Sequence, residues 1–215
     1  VIMWHWPHTP PNNEAEEEAF EREHGIPVNT GGSQAVTRWG MGLSILLVGI
    51  AFVSFLLTYF YIRIENPLWP PPNTPLPILP RAGLAAVLMA LSGTPTLVAL
   101  RSIQAGRQAQ FRLALALACV LSAAAFGLQI FDLSRQPVSG SAHAYGSVFF
   151  ALSYFVLFVA FIGLVMNIVI QFWAGKKVYT RRRHIAISNL AAFWAALIAV
   201  WFIGFGAAYL TPYVT

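Results

Sequence analysis

Asp132, with Gln129 before it on the same helix face and Arg135 just beyond, is where ionisable and amide side chains gather beside an apolar run. An ionisable group at membrane depth is costly enough to be a functional suspect by default. A proton pump or ion-coupled carrier would string acids or histidines across mid-depth. Those are missing here: Asp132 stands at the end of its run, where Arg135 is close enough to pair with it. His143 opens one apolar run and His184 precedes another, so bis-histidine haem ligation between facing helices has no donors at depth. His5 and His8 could ligate a metal, but no third ligand follows at a recognisable spacing; with Trp4 and Trp6 they read better as an arm packing on a neighbour. Cys119 is alone, which excludes a disulfide framework and a Cys-x-x-Cys site. The polar residues remaining at depth are Ser54, Thr58, Ser92, Thr94, Thr96, Ser122, Ser147, Ser153 and Asn167. Their expected work is interhelical or back-bonding hydrogen bonds, worth about 0.6 kcal/mol each. No catalytic, cofactor-binding or metal-ligating residue is expected in this chain.

The elements that hold these residues can be placed from composition. Of 215 residues 57% are hydrophobic and 10% charged, against about 25% charged in soluble domains. The expected fold is an all-α integral membrane protein, a bundle of five transmembrane helices. The spans are placed at about 39–62, 82–100, 113–133, 142–174 and 185–210. The first, 24 residues from Trp39 to Ile62, makes about 36 Å of helix, enough to cross a ~30 Å hydrocarbon core with tilt. Residues 1–37 form a polar, acidic segment ahead of a transmembrane domain over 38–215. Within that segment Asn13 is placed to cap a short helix carrying six glutamates up to Glu23. It has the character of neither a signal nor a transit peptide. Between the first two spans, seven prolines from Pro67 to Pro80 call for a stiff, exposed loop. Pro95 lies inside the second span, where Thr94 and Thr96 are expected to re-satisfy the freed carbonyl.

Net charge is +5, but the basic residues cluster between spans, which is a topology signal and not a nucleic-acid footprint. Arg101, Arg107, Arg112, Lys176, Lys177, Arg181, Arg182 and Arg183 share a side with the N-terminus; Arg63, Arg81 and Arg135 take the other. The positive-inside rule then puts the N-terminus in the cytoplasm and the C-terminus outside. Packing signals accompany the topology. Ser188, Ala192, Ala196, Val200 and Gly204 recur every fourth residue, widened by Ala191, Ala195 and Ala199, so a neighbouring backbone can approach that face. Gly40, Gly42 and Ser44 are expected to do the same on the first span. Trp194 and Trp201 project together from another side. Trp39, Tyr59, Tyr61, Trp69, Trp173 and Tyr209 fall where aromatic belts belong.

Several short motifs occur in order along the spans. Tyr145-Gly146-Ser147-x-Phe149-Phe150-x-x-Ser153-x-Phe155 opens the fourth. Trp39-Gly40-Met41 and Tyr59-Phe60-Tyr61 bracket the first. Trp69-Pro70-Pro71, Leu91-Ser92-Gly93-Thr94, Gly127-Leu128-Gln129-x-x-Asp132 and the spaced Trp194 and Trp201 complete the set. Together they resemble the signature of subunit III of haem-copper oxidases, the cytochrome c and quinol oxidase family, over about residues 38–205. The five-span form is similar to that of bacterial quinol oxidases, which lack the family's first two helices.

The resemblance implies a non-catalytic accessory subunit of an aerobic respiratory oxidase, in which electrons pass to O2 and the complex moves protons. Its implied partners are the catalytic subunit I, subunit II and other subunits, with membrane lipids and no nucleic acid. Haem and copper are expected in partner subunits and none in this chain, with bound phospholipid left open. In the family such a subunit supports proton uptake and protects the complex from inactivation during turnover. Where the family has histidines after Phe155, this chain has Val156 and Val159; its ionisable helix positions fall near Val48, Ser188, Ala195 and Ile198. Gln129 and Asp132 are the polar pair carried over, as a helix- or loop-fixing contact. An accessory subunit of a nitric oxide reductase is the alternative within the superfamily, and a small membrane transporter the alternative outside it. Five spans and the lost acid point to a prokaryotic plasma membrane.

Overall fold

A computed structural model of the chain describes residues 36–66, 68–176, 178–181 and 183–214, together with 19, 22 and 23. Ala19, Arg22 and Glu23 are helical; the rest of the acidic segment, with the Asn13 cap and the Trp4–His8 arm, lies outside the described residues. Five helices long and apolar enough to cross a membrane account for nearly all the remainder: α1 Val36–Glu65, α2 Leu79–Gln104, α3 Gln108–Ser134, α4 Ala144–Gly175 and α5 Ile185–Phe205. A π-helical turn, Gly206–Leu210, and a 3₁₀ turn, Thr211–Tyr213, extend α5. The chain is thus an all-helical, multi-pass membrane protein.

Lipid tails are as apolar as leucine, so helix association in a bilayer relies on close packing and interhelical hydrogen bonds. The tightest pair, α2 with α3, shows how. Ala82, Ala85, Ala86, Ser92, Thr96 and Ala99 on α2 are buried, as are Ala114, Ala118, Ser122 and Ala125 on α3. Small side chains three and four apart let the two backbones close on each other. Helix α5 then packs on α2, α4 bridges α3 and α5, and α1 rests on α4 and α5. One apolar cluster, from Phe52 and Tyr59 to Tyr209, holds the end of the bundle near the proline-rich loop; a second, around Ile103, Phe111, Leu190 and Trp194, holds the other. Contacts tie the start of α3 to the end of α4 and the loop after it at that second end: Arg112 Nη2 donates to the Gly175 carbonyl at 3.3 Å and Gln108 Nε2 to that of Tyr179 at 2.8 Å. Asn189 Nδ2 donates to the Thr37 carbonyl at 3.2 Å, so the start of α1 is there too. It is the basic end.

The small-residue stripe on α5 packs along only part of its length. Val200 and Gly204 are buried, and a Cβ on Gly204 would come within 2.7 Å of Val156 Cγ2. Ala192, Ala195 and Ala199 instead face outward, because α2 and α4 already occupy the flanks of the helix. A Cβ added to Gly40 or Gly42 would meet nothing within 4 Å; α1 meets few neighbours at that end, so no backbone approaches. Nor does Pro95 draw in Thr94, which is exposed. Thr96 Oγ1 donates to the Ser92 carbonyl at 2.8 Å, one position beyond the carbonyl that the proline frees.

Candidate functional site

A hydrogen-bonded group of buried polar residues lies at the end away from the basic loops. Asp132, fully buried near the end of α3, takes two donors on one oxygen. The Tyr209 hydroxyl donates to its Oδ2 at 2.8 Å and Gln136 Nε2 at 2.7 Å. Gln129, one turn earlier on α3, donates from Nε2 to the Tyr209 oxygen at 2.8 Å. Gln136 is fixed in turn by the Ile78 backbone, whose N–H donates to Oε1 at 2.8 Å and whose carbonyl accepts from Nε2 at 3.2 Å. The network therefore joins α3, the end of α5 and the segment entering α2. Arg135 takes no part. The helix ends at Ser134, and Arg135, exposed as the C-cap residue, lies over the Phe131 ring at 5.6 Å beside Arg81 at 5.4 Å.

Tyr209 reaches Asp132 through the π-helical turn. A π turn adds a residue to the repeat and re-aims the side chains beyond it, so Tyr209 points inward from a position that helical spacing assigns to the membrane rim. A parallel thread runs beside it. Trp69 Nε1 donates to the Tyr59 hydroxyl at 3.4 Å; Tyr59 pairs with Thr211 Oγ1 at 2.7 Å, and Thr211 donates to the Ala207 carbonyl at 2.6 Å. Tyr59, Trp69 and Tyr209 are thus buried structural groups and not belt residues. Trp39, Tyr61 and Trp173 are exposed, as a belt requires.

The signature at the start of α4 clamps the loop before it. Tyr145 is fully buried with its ring edge-on to Trp69, centroids 5.1 Å apart. A Cβ on Gly146 would run into the Ser139 carbonyl, so glycine is what allows the loop to cross the helix there. Ser147 Oγ donates to the Gly140 carbonyl at 2.8 Å and lies 3.4 Å from that of His143. Phe149 is buried against Tyr209, centroids 5.1 Å apart, and Phe150 sits beneath Gly140. Ser153, one turn on, borders a cavity of about 20 Å³ shared with Gln129, Val156, Trp201, Gly204 and Tyr209.

The two tryptophans of α5 serve different clusters. Trp194 Nε1 donates to Ser92 Oγ at 2.9 Å, and Ser92 passes its own proton to the Met89 carbonyl at 2.6 Å. Trp201 packs in the other cluster and borders the cavity. Ser54, Thr58 and Ser122 donate to carbonyls one turn back on their own helices, the back-bonding expected of them; the fully buried side-chain amide of Asn167 has no hydrogen-bond partner among the described residues.

Sequence reasoning identifies Gln129 and Asp132 but misses Tyr209 as their partner, and misses Gln136 altogether. Gln136 lies past the helix end, where no periodicity marks a residue as buried. Among the described residues no three His, Cys, Asp or Glu side chains come together, and His143 and His184 cap helices at opposite ends of the bundle.

A family model described as "Cytochrome c oxidase subunit III" matches residues 3–213. The chain is also similar to a protein named "Cytochrome c oxidase subunit 3" from Prototheca wickerhamii. The two are 25% identical over 194 residues, which is 86% of this chain and 71% of the relative.

Proposed function

Because the chain belongs to the cytochrome c oxidase subunit III family, we propose that it braces catalytic subunit I of its complex and carries no step of the chemistry itself. It is an accessory subunit of a haem-copper oxidase, an oxidoreductase complex embedded in a membrane. The observation that supports the bracing role is where its polar groups are spent. The buried carboxylate of Asp132 is held by Tyr209 and Gln136 near one end of the bundle. By the family resemblance, the positions at which the family has ionisable groups fall at Val156 and Val159 and near Val48, Ala195, Ile198 and Ser188. Such a chain offers neither haem ligands at depth nor a relay of acids across the bilayer. Haem and copper belong to partner subunits in this reading, with subunit II and further subunits completing the complex and lipid covering the remaining surface.

The two-sided charge pattern supports an orientation with the basic end in the cytoplasm, where α1 begins, and with the Asp132 network near the outer face. Loss of the family's ionisable positions favours a prokaryotic plasma membrane over a mitochondrial one. Fractionation with protease protection of the tagged N-terminus tests both points; cleavage from outside the cell would reverse the orientation.

Affinity purification in mild detergent tests the assignment. The tagged chain is expected to bring down a haem-bearing partner with a reduced-minus-oxidised absorbance spectrum, and a stable, colourless monomer would refute it. Stripping the chain from the complex tests the bracing role separately. Haem content and initial O2 reduction should persist while the complex inactivates sooner in turnover. Immediate loss of turnover with the haems intact would mean that this chain takes part in the chemistry.

A further inference from the structure

We propose that the small cavity between α3, α4 and α5 is a binding site for one ordered water molecule, held by the Ser153 hydroxyl and the Gln129 amide oxygen. Ser153 is 5% exposed, and its Oγ has no hydrogen-bond partner among the described residues. Gln129 is 6% exposed and borders the same cavity. Buried hydroxyls are nearly always paired, so an unpaired one beside a cavity calls for a partner.

The polarity of the network says what that partner must be. The Ile78 N–H donates to Gln136 Oε1, which leaves Gln136 Nε2 as the donor to Asp132 Oδ2. Tyr209 gives its own proton to the same carboxylate oxygen and must then accept at its oxygen. Gln129 therefore turns Nε2 toward Tyr209, and Oε1 is left as an acceptor without a donor. The amide orientation is set by this chain of donors and not chosen freely.

The cavity thus offers an acceptor, Gln129 Oε1, and a hydroxyl, Ser153 Oγ, that both donates and accepts. Its volume of about 20 Å³ exceeds the roughly 10–15 Å³ needed for one water. Val156, Trp201, Gly204 and Phe205 line the rest of it. Two polar partners with Tyr209 adjacent meet the requirement of two to four for a buried water. The site extends the hydrogen-bonded thread from Ile78 inward to Ser153, nine residues into α4, or about 14 Å along the helix.

The test is a density map of the native complex at a resolution that shows ordered waters, compared with Ser153→Val. The native map should show one peak within hydrogen-bond distance of Ser153 Oγ and Gln129 Oε1, and Ser153→Val should lose it because a methyl takes the space and the hydroxyl is gone. A native map without the peak, with Ser153 Oγ turned back onto the Phe149 carbonyl, would overturn the proposal. So would elongated density continuous with a lipid tail. The native map alone decides the matter if the variant does not assemble.

Discussion

Removing the Tyr209 hydroxyl probes whether the Asp132 network holds the bundle together. Tyr209→Phe keeps the ring against Phe149 and Phe205, where centroids lie 5.1 and 5.4 Å away, and deletes only the oxygen. Two hydrogen bonds of 2.8 Å go with it, one to the carboxylate and one from Gln129. By soluble-protein experience, a bond to a charged acceptor is worth roughly 1.5–3 kcal/mol. Membrane-protein cycles give about 0.6 kcal/mol per bond and at most about 1.7, because the unfolded chain in a bilayer also finds partners. Asp132 sits under Tyr209 with no exposure and retains only Gln136 as a donor, so the upper membrane figure applies to that bond. The expected loss, with the smaller Gln129 bond added, is about 2 kcal/mol. Equilibrium unfolding in mixed micelles by SDS titration measures it, and a double-mutant cycle with Asp132→Asn isolates the pair. Coupling of about 1–2 kcal/mol is expected. A Tyr209→Phe protein within about 0.3 kcal/mol of native, additive with Asp132→Asn, would refute the claim that this contact fastens α5 to α3.

Three further perturbations read other parts of the structure. Gly146→Ala drives a methyl into the Ser139 carbonyl and is expected to cost about 3 kcal/mol, at the upper end for overpacking; Gly40→Ala, with open space around it, should be neutral or slightly stabilising in the same titration. Trp194→Phe removes the donor to Ser92 and should lower stability by roughly 1 kcal/mol, with Ser92→Ala costing less on that background than alone because only its bond to the Met89 carbonyl is then left to lose; a full additive loss would show that the Trp194–Ser92 bond carries nothing. Tyr59→Phe breaks the link from α1 to Thr211 and should speed hydrogen exchange in α1 while leaving the α2–α3 pair protected, so uniform loss across all helices would count against α1 as the weakly held member.

The spans are legible in the sequence because hydropathy and length decide them, and α5 begins at Ile185 as its pattern predicts. The motif at the start of α4 and the spacing of Gln129 and Asp132 can be read off too, since each lies within a single helix. Partners across the bundle are not. Tyr209 sits at a rim position by ordinary helical count, and the π turn that redirects it has no periodic signal in the sequence. Tyr59 and Trp69 look identical to belt residues because burial near a bilayer edge depends on whether a loop folds over them. Here the proline-rich loop folds Trp69 onto Tyr59 and Tyr145. The open face at Gly40 and Gly42 escapes a sequence reading for the opposite reason: small residues permit an approach, but whether a neighbour comes is set by the other helices.

The separation of Asp132 from its donor bears on how the chain is made. Tyr209 lies 77 positions beyond Asp132, so α3 enters the bilayer well before α5 has been synthesised. Until then the carboxylate has Gln136 but not the tyrosine, and α1 waits as well, since α4 and α5 are its supports. The α2–α3 hairpin can close at once through its alanines, whereas Asp132 Oδ2 lacks the second of its two donors until the last span arrives. Biogenesis therefore has a marked final step. In a ribosome-bound intermediate cut short before residue 209, the Asp132 carboxylate lacks its link to α5, so the fastening of the last span is what separates an unfinished subunit from a finished one.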